Sequence, residues 1–178
     1  MSESRMEIKV ISKKRTLRAK FEGNLVRLVG PNGSGKTTVL KALAGLLDPP
    51  WIVEGVLKNA QYVTTWELPW AAITCGEMLG VCDPKWDLDL HMPLALMSSG
   101  QRQSAYLACA CMRQPEVLLL DEIWSSMDHQ RREVAKEMLK GFRVIYVHHG
   151  EDIFEDAVLA SLEEDHDPNG VLDRNYWL

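Results

Sequence analysis

Leu25-Val26-Arg27-Leu28-Val29-Gly30-Pro31-Asn32-Gly33-Ser34-Gly35-Lys36-Thr37-Thr38 is the stretch that decides how this chain folds. Leu25 to Val29 reads as a buried strand and Gly30 to Gly35 as a loop. A helix follows from Lys36 to Leu47, with Leu40, Leu43, Ala44 and Leu47 at helical spacing, and Asp48-Pro49-Pro50 ends it. The loop matches G-x-x-x-x-G-K-[ST] in full. Glycines let the backbone curl so that successive N–H groups point at one anion, and the helix start adds partial positive charge. Lys36 suits the β- and γ-phosphates of a nucleotide, and the Thr37 hydroxyl suits Mg²⁺, which prefers hard oxygen ligands. A glycine-rich turn that happens to precede a helix is the competing explanation. The complete match between an apolar strand and a helix weighs against it. Gly30, Pro31, Asn32, Gly33, Ser34, Gly35, Lys36, Thr37 and Thr38 are therefore the candidate phosphate-binding residues.

Outward from this loop, strands alternate with helices. Ile8, Val10 and Ile11 predict one strand; Leu17, Ala19 and Phe21 predict a second, turning at Glu22-Gly23-Asn24. Trp51 to Val63 reads as short strands about a Gly55 turn, and Thr65 to Pro93 as a small, partly helical insertion. Ser98 to Met112 and His129 to Lys140 read as helices, and Val117 to Leu120 and Val144 to Val147 as strands. Glu151 to Asp156 looks helical. Val158 to Leu162 and Val171-Leu172 look like a final hairpin around Pro168-Asn169-Gly170. The pattern predicts an α/β fold: a mostly parallel central sheet flanked by helices, with an antiparallel N-terminal part and a small helical subdomain over about 66–112. Residues 1–178 are expected to form a single domain.

Composition narrows the function classes. Hydrophobic residues at 46% and charged residues at 25% describe a globular chain rather than a disordered one. A net charge of −5 argues against a protein that wraps nucleic acid, and no direct nucleic-acid partner is expected. No apolar run reaches the roughly 18–20 residues of a membrane helix, and Met1 to Lys9 lacks a secretory pattern. A cytoplasmic protein is expected, with any membrane role exercised through a partner. Cys75, Cys82, Cys109 and Cys111 lack the two-residue gap of zinc or redox motifs and read as reduced thiols. Asp165-His166-Asp167 offers metal-ligand types but no further ligand, so a charged turn is the stronger explanation.

Val117-Leu118-Leu119-Leu120-Asp121-Glu122 ends a buried strand in two acids. Alternation along a strand lets the two carboxylates point differently. Asp121 is the candidate Mg²⁺ residue, and Glu122 the candidate base for the water that attacks a γ-phosphate. Taken alone, a strand end turning polar at the solvent boundary explains the pair equally well.

Met97-Ser98-Ser99-Gly100-Gln101 resembles the signature of ABC ATPases, usually Leu-Ser-Gly-Gly-Gln. Ser125-Ser126-Met127-Asp128 resembles that family's D-loop, and His149 follows the next strand where its switch histidine belongs. The resemblance runs from about Glu7 to Leu162. It implies a P-loop NTPase that binds ATP with Mg²⁺ and hydrolyses it, working as a head-to-tail dimer with itself or with another ABC ATPase. Ser98, Ser99, Gly100 and Gln101 would then face the nucleotide held by the other copy, Asp128 would line the dimer contact, and His149 would hold the γ-phosphate and the attacking water with Glu122. It further implies a subunit of a transporter, lying at the inner face of the cell membrane against an integral membrane partner. A soluble ABC ATPase acting on cytoplasmic machinery, and an ATP-driven dimerisation switch with little turnover, are the alternatives. No Asn-Lys-x-Asp motif supports a GTPase. His148 competes for the switch role, and Ser125 or Ser126 could simply cap the helix near His129.

The chain departs from the family in three ways. Thr65 stands where a glutamine usually ends the strand after the phosphate-loop helix; Gln61 lies four residues too early, and Glu67 is a candidate substitute. No aromatic precedes Phe21, which faces the core, so no ring is available to stack on adenine and a modest nucleotide affinity is expected. Ser104 and Cys109 replace arginines of the signature helix, and Ile123 replaces the proline after the catalytic glutamate. Trp66 and Trp70 in the insertion read as packing residues ahead of a docking patch.

Overall fold

The computed structural model describes residues 5–12, 15–65, 73–80 and 88–166. Eight strands form one sheet among them: β1 (Met6–Ile11), β2 (Arg15–Phe21), β3 (Leu25–Val29), β4 (Ile52–Glu54), β5 (Ala60–Thr64), β6 (Val117–Asp121), β7 (Arg143–Val147) and β8 (Val158–His166). Their spatial order is β4-β1-β2-β8-β3-β7-β6-β5. Pairing is antiparallel from β4 through β1 and β2 to β8, and parallel from β8 through β3, β7 and β6 to β5. The fold is therefore the expected mixed α/β sheet of a P-loop ATPase, with an antiparallel N-terminal part.

The central strands β6 and β7 are apolar on both faces because both faces are covered. Val117 and Leu119 of β6, with Ile145 and Val147 of β7, pack beneath α1 (Lys36–Leu43). Leu118 and Leu120, with Val144 and Tyr146, pack on the opposite face under α3 (Ser99–Met112) and α4 (His129–Leu139). A side-chain period of two thus divides each strand between two cores. The short helix α2 (Cys75–Leu79) packs against α3 and closes the second core.

Three elements differ from the sequence expectation. The phosphate-loop helix ends at Leu43, not Leu47. Gly45 adopts a left-handed φ of 69°, the Gly45 N–H donates to Ala42 O, and the Leu46 N–H donates to Lys41 O. That is a Schellman stop, and it overrides the apolar spacing that runs on to Leu47. Glu151 to Asp156 is not helical but a turn, with Ile153 buried and Phe154 edge-on to both Trp124 and Tyr146. The last described strand runs past the expected Leu162. It extends to His166 and inserts between β2 and β3, with Arg15 paired to Glu164 at 3.3 Å and Arg18 to Asp165 at 3.5 Å. The expected turn at 168–170, the strand at 171–172, Asp167, Trp66, Trp70, Glu67 and Cys82 lie outside the described residues. Cys75, Cys109 and Cys111 carry free thiols.

Gly55 holds the edge of the sheet together. Its φ is 99°, and a Cβ there would stand 2.4 Å from the Glu7 carbonyl oxygen. Gly55→Ala should therefore cost about 2–3 kcal/mol through strain and overpacking, read as a lower denaturation midpoint with an unchanged slope.

Candidate functional site

The phosphate loop hangs between β3 and α1. Gly33 and Gly35 take φ values of 78° and 102°. A Cβ on Gly35 would lie 2.6 Å from Leu17 Cδ1, so the loop can sit on β2 only because this residue has no side chain. The Ser34 N–H donates to Pro31 O at 3.2 Å and closes the curl. Gly35 supplies no side-chain cap to α1, which leaves the N–H groups of its first turn open for an anion. Lys36 is buried, and its Nζ donates to Gly30 O at 2.8 Å and Pro31 O at 2.9 Å. An ammonium has three donors, so one is left for a phosphate. Pro31, Asn32, Gly33 and Thr37 are exposed, and Thr38 is half-buried.

β6 carries the acids to the same sheet edge. Asp121 is buried; its Oδ2 accepts from the Tyr62 hydroxyl at 2.7 Å, and its Oδ1 has no hydrogen-bond partner. An orphaned carboxylate oxygen together with the Thr37 hydroxyl forms a hard-oxygen donor set that fits Mg²⁺. Burial, followed by the hydrogen bond and charge of Asp121, pushes the Tyr62 phenol well above its ordinary range. Tyr62 therefore remains a donor at every physiological pH.

Glu122 has a left-handed φ of 57°, uncommon for a side chain of this kind, and its N–H is held by Val147 O at 3.1 Å. Two histidines face its carboxylate. His149 Nε2 lies 3.4 Å from Oε1, and the His149 backbone N–H donates to Oε2 at 3.3 Å. His148 Nδ1 lies 3.5 Å from Oε2. The rings differ in environment: the His148 side chain is 7% exposed and that of His149 54%. Burial lowers the His148 pKa against the raising effect of Glu122, with Arg132 and Arg27 lowering it further.

The signature segment starts α3. Ser98 Oγ accepts from the Gln101 N–H at 3.2 Å, and Gln101 Oε1 accepts from the Ser98 N–H at 2.8 Å. This capping box uses Ser98 as an acceptor and leaves its hydroxyl proton free to donate. Ser98 and Ser99 are exposed. Gly100 is buried, and a Cβ there would stand 2.7 Å from Ser126 O, so the helix start is pressed onto the segment that follows Glu122. Asp128 is exposed and caps α4, accepting from the Arg131 N–H at 2.8 Å. Neither Ser125 nor Ser126 is the cap: their hydroxyls donate to Glu122 O and Ile123 O.

Thr65 lies in a bend just past β5, and Gln61 is occupied by Arg113 at 3.2 Å. Phe21 is fully buried. Arg15 is what borders the loop: its Nη1 donates to Gly33 O at 3.5 Å. Tyr62, Arg15 and His148's contact with Glu122 were not singled out from sequence. The first was legible in principle, because Thr64 pairs with Asp121 and Tyr62 shares its face of β5. The other two depend on loop contacts that no periodicity encodes.

Two expectations follow. Tyr62→Phe strips the donor from a buried carboxylate and should cost about 1–3 kcal/mol, measured by denaturant unfolding in EDTA. It should also raise the Mg²⁺ concentration needed for half-maximal activity. A histidine whose folded pKa is lowered binds fewer protons folded than unfolded, so its contribution is present above its ordinary pKa and lost as pH falls through it. The thermal midpoint should therefore drop on acidification from pH 7.5 to 5.5, and His148→Gln should flatten that drop.

The ABC transporter family model matches residues 17–75. Aliphatic sulfonates import ATP-binding protein SsuB of Corynebacterium glutamicum is 32% identical over 167 residues, covering 78% of this chain and 67% of that protein. SsuB 1 of Rhodococcus jostii is 31% identical over 137 residues, covering 66% and 56%. The chain spans between 40% and 67% of the length of such curated relatives. A Pyrococcus furiosus chain assigned to the ABC transporter ATP-binding proteins superposes with a TM-score of 0.67 at 24% identity, covering 89% of this chain and 97% of that one; at that identity it speaks for the fold. A relative 32% identical, two thirds of whose length this chain spans, shows that the chain belongs to the ABC transporter ATP-binding family.

Proposed function

We propose that this chain, acting as one domain with a helical subdomain over about 66–112, binds ATP with Mg²⁺ and hydrolyses it as the ATPase subunit of an ABC importer. The observation that carries the reading is that adjacent parallel strands bring Glu122, His149 and the phosphate loop at 30–36 to one edge of the sheet. Lys36 and the open N–H groups of α1 bind the phosphates. Thr37 and Asp121 would hold a Mg²⁺, which would supply positive charge against the phosphates. Glu122 orients the attacking water and takes its proton. His149, whose ring is half exposed beside Glu122, is the histidine that reaches the γ-phosphate; the more enclosed His148 backs the carboxylate.

Ser98, Ser99, Gly100 and Gln101 meet the nucleotide of a second copy or a related subunit, and Asp128 lies at that contact. The exposed Ser98 hydroxyl, with its proton free, suits a phosphate oxygen. ATP contacts that exist only in the closed pair favour closure, and hydrolysis releases it. The import direction is taken from the names of the relatives. The chain then works in the cytoplasm, at the inner face of the membrane, through an integral membrane subunit. Among the described residues no helix is long and apolar enough to cross a membrane.

Glu122→Gln should reduce the hydrolysis rate by about 10²-fold or more, retain ATP binding, and accumulate an ATP-dependent dimer in light scattering. Lys36→Ala should lose ATP binding. Equal rates for the wild type and Glu122→Gln would remove Glu122 from the chemistry. Failure to co-purify with an integral membrane protein would favour a soluble ATPase.

A further inference from the structure

Arg27 stands in the middle of β3, three residues before the phosphate loop, in a position otherwise apolar on both sides. Its side chain is only 13% exposed. It does not point at the loop. Nη2 donates to His148 O at 3.0 Å and to Gly150 O at 3.0 Å, and Nη1 pairs with the Asp152 carboxylate. The two carbonyls belong to the residues immediately before and after His149. A single planar cation therefore holds the peptide group that leads into that histidine and the one that follows Gly150.

The consequence appears one residue over. With the flanking carbonyls turned toward Arg27, the His149 N–H faces Glu122 Oε2, and its ring nitrogen lies within 3.4 Å of Oε1. Gly150, at a φ of 121°, permits the turn that brings its carbonyl back to β3. The segment has no regular secondary structure of its own from His148 to Ala157. Without Arg27, His149 would be held by Glu122, one exposed ring contact and the ends of the turn.

Resting on the proposed roles of Glu122 and His149, we propose that Arg27 is a positioning residue for hydrolysis: it braces the His149 loop from the neighbouring strand and sets the angle at which His149 meets Glu122. It touches no substrate. Because β3 also leads into the phosphate loop, the same strand that holds the nucleotide sets the geometry of the group that senses it. Asp152 completes the brace by matching the charge of the guanidinium at Nη1.

The test uses the full chain with three substitutions: Arg27→Met, which keeps the bulk and removes the fork; Arg27→Lys, which keeps the charge on one rotating head; and His149→Ala. Amide hydrogen exchange followed by mass spectrometry reads the loop directly. Arg27→Met should raise exchange over residues 148–152 by at least about tenfold, with Arg27→Lys in between, while the peptide covering 33–40 stays unchanged. In ATP hydrolysis, Arg27→Met should lower kcat by about tenfold or more with KM within about threefold, and that loss should vanish when His149 is already alanine. Unchanged exchange over 148–152 in Arg27→Lys overturns the proposal even if Arg27→Met fails to fold. So does an Arg27→Met loss of kcat that persists in full in the His149→Ala background. If the wild type shows no turnover at all, the hydrolysis reading is what fails, and the proposal of a positioning role falls with it. A wild type that turns over while Arg27→Met leaves kcat untouched sinks the brace alone.

Discussion

A parallel strand delivers whatever follows it to the same sheet edge as its neighbours, and β3, β7 and β6 lie side by side in that order. The phosphate loop leaves β3, the two histidines leave β7, and Asp121-Glu122 ends β6. Hydrogen-bonded register fixes their spacing: Val26 faces Ile145, and Leu119 faces Ile145 from the other side. No long loop has to search for its partner group. Crevices at the carboxyl ends of such strands are where open α/β sheets bind ligands, and here every proposed catalytic group of one copy is within a strand's width of that edge.

Around this edge the chain accepts local conflicts. Glu122 sits in a left-handed backbone region that costs a residue of its kind about 1–3 kcal/mol, held by Val147 O. Asp121 has one carboxylate oxygen without a partner. His148 is pressed out of solvent against an acid. Each is a place where packing alone would have chosen otherwise, and all lie within two strands of each other.

The core of this layout was legible from the sequence because its signals are local. The phosphate loop has a spacing that only backbone N–H groups around an anion require. Val117 to Leu120 is apolar at every position, which marks a strand covered on both faces, as it proved to be. The signature serine was placed at a helix start, and its capping box with Gln101 gives that placement its reason. What misled was non-local. Glu151 to Asp156 has a helical look, but Asp152 is drawn to Arg27, and Ile153 and Phe154 turn inward. Asp165 and His166 read as part of a charged turn, yet they continue β8, where Arg15 answers Glu164 and Arg18 answers Asp165. Apolar spacing runs on through Leu47, whereas two Schellman bonds around Gly45 end the helix in the fold. Arg27 reads as one polar interruption of a strand; only the arrangement of a loop more than a hundred residues later gives it a purpose.

β8 lies between β2 and β3. Leu17, on whose side chain Gly35 rests, belongs to β2 and is tied to the parallel half of the sheet through this late segment. During synthesis, β2, β3 and the loop between β3 and α1 emerge well before the strand that joins β2 to β3. The sheet cannot close until a strand from the far end of the described chain has left the ribosome and slid between two older ones. Assembly of this domain is thus tied to late translation, and a nascent chain stalled before β8 would carry two open strand edges.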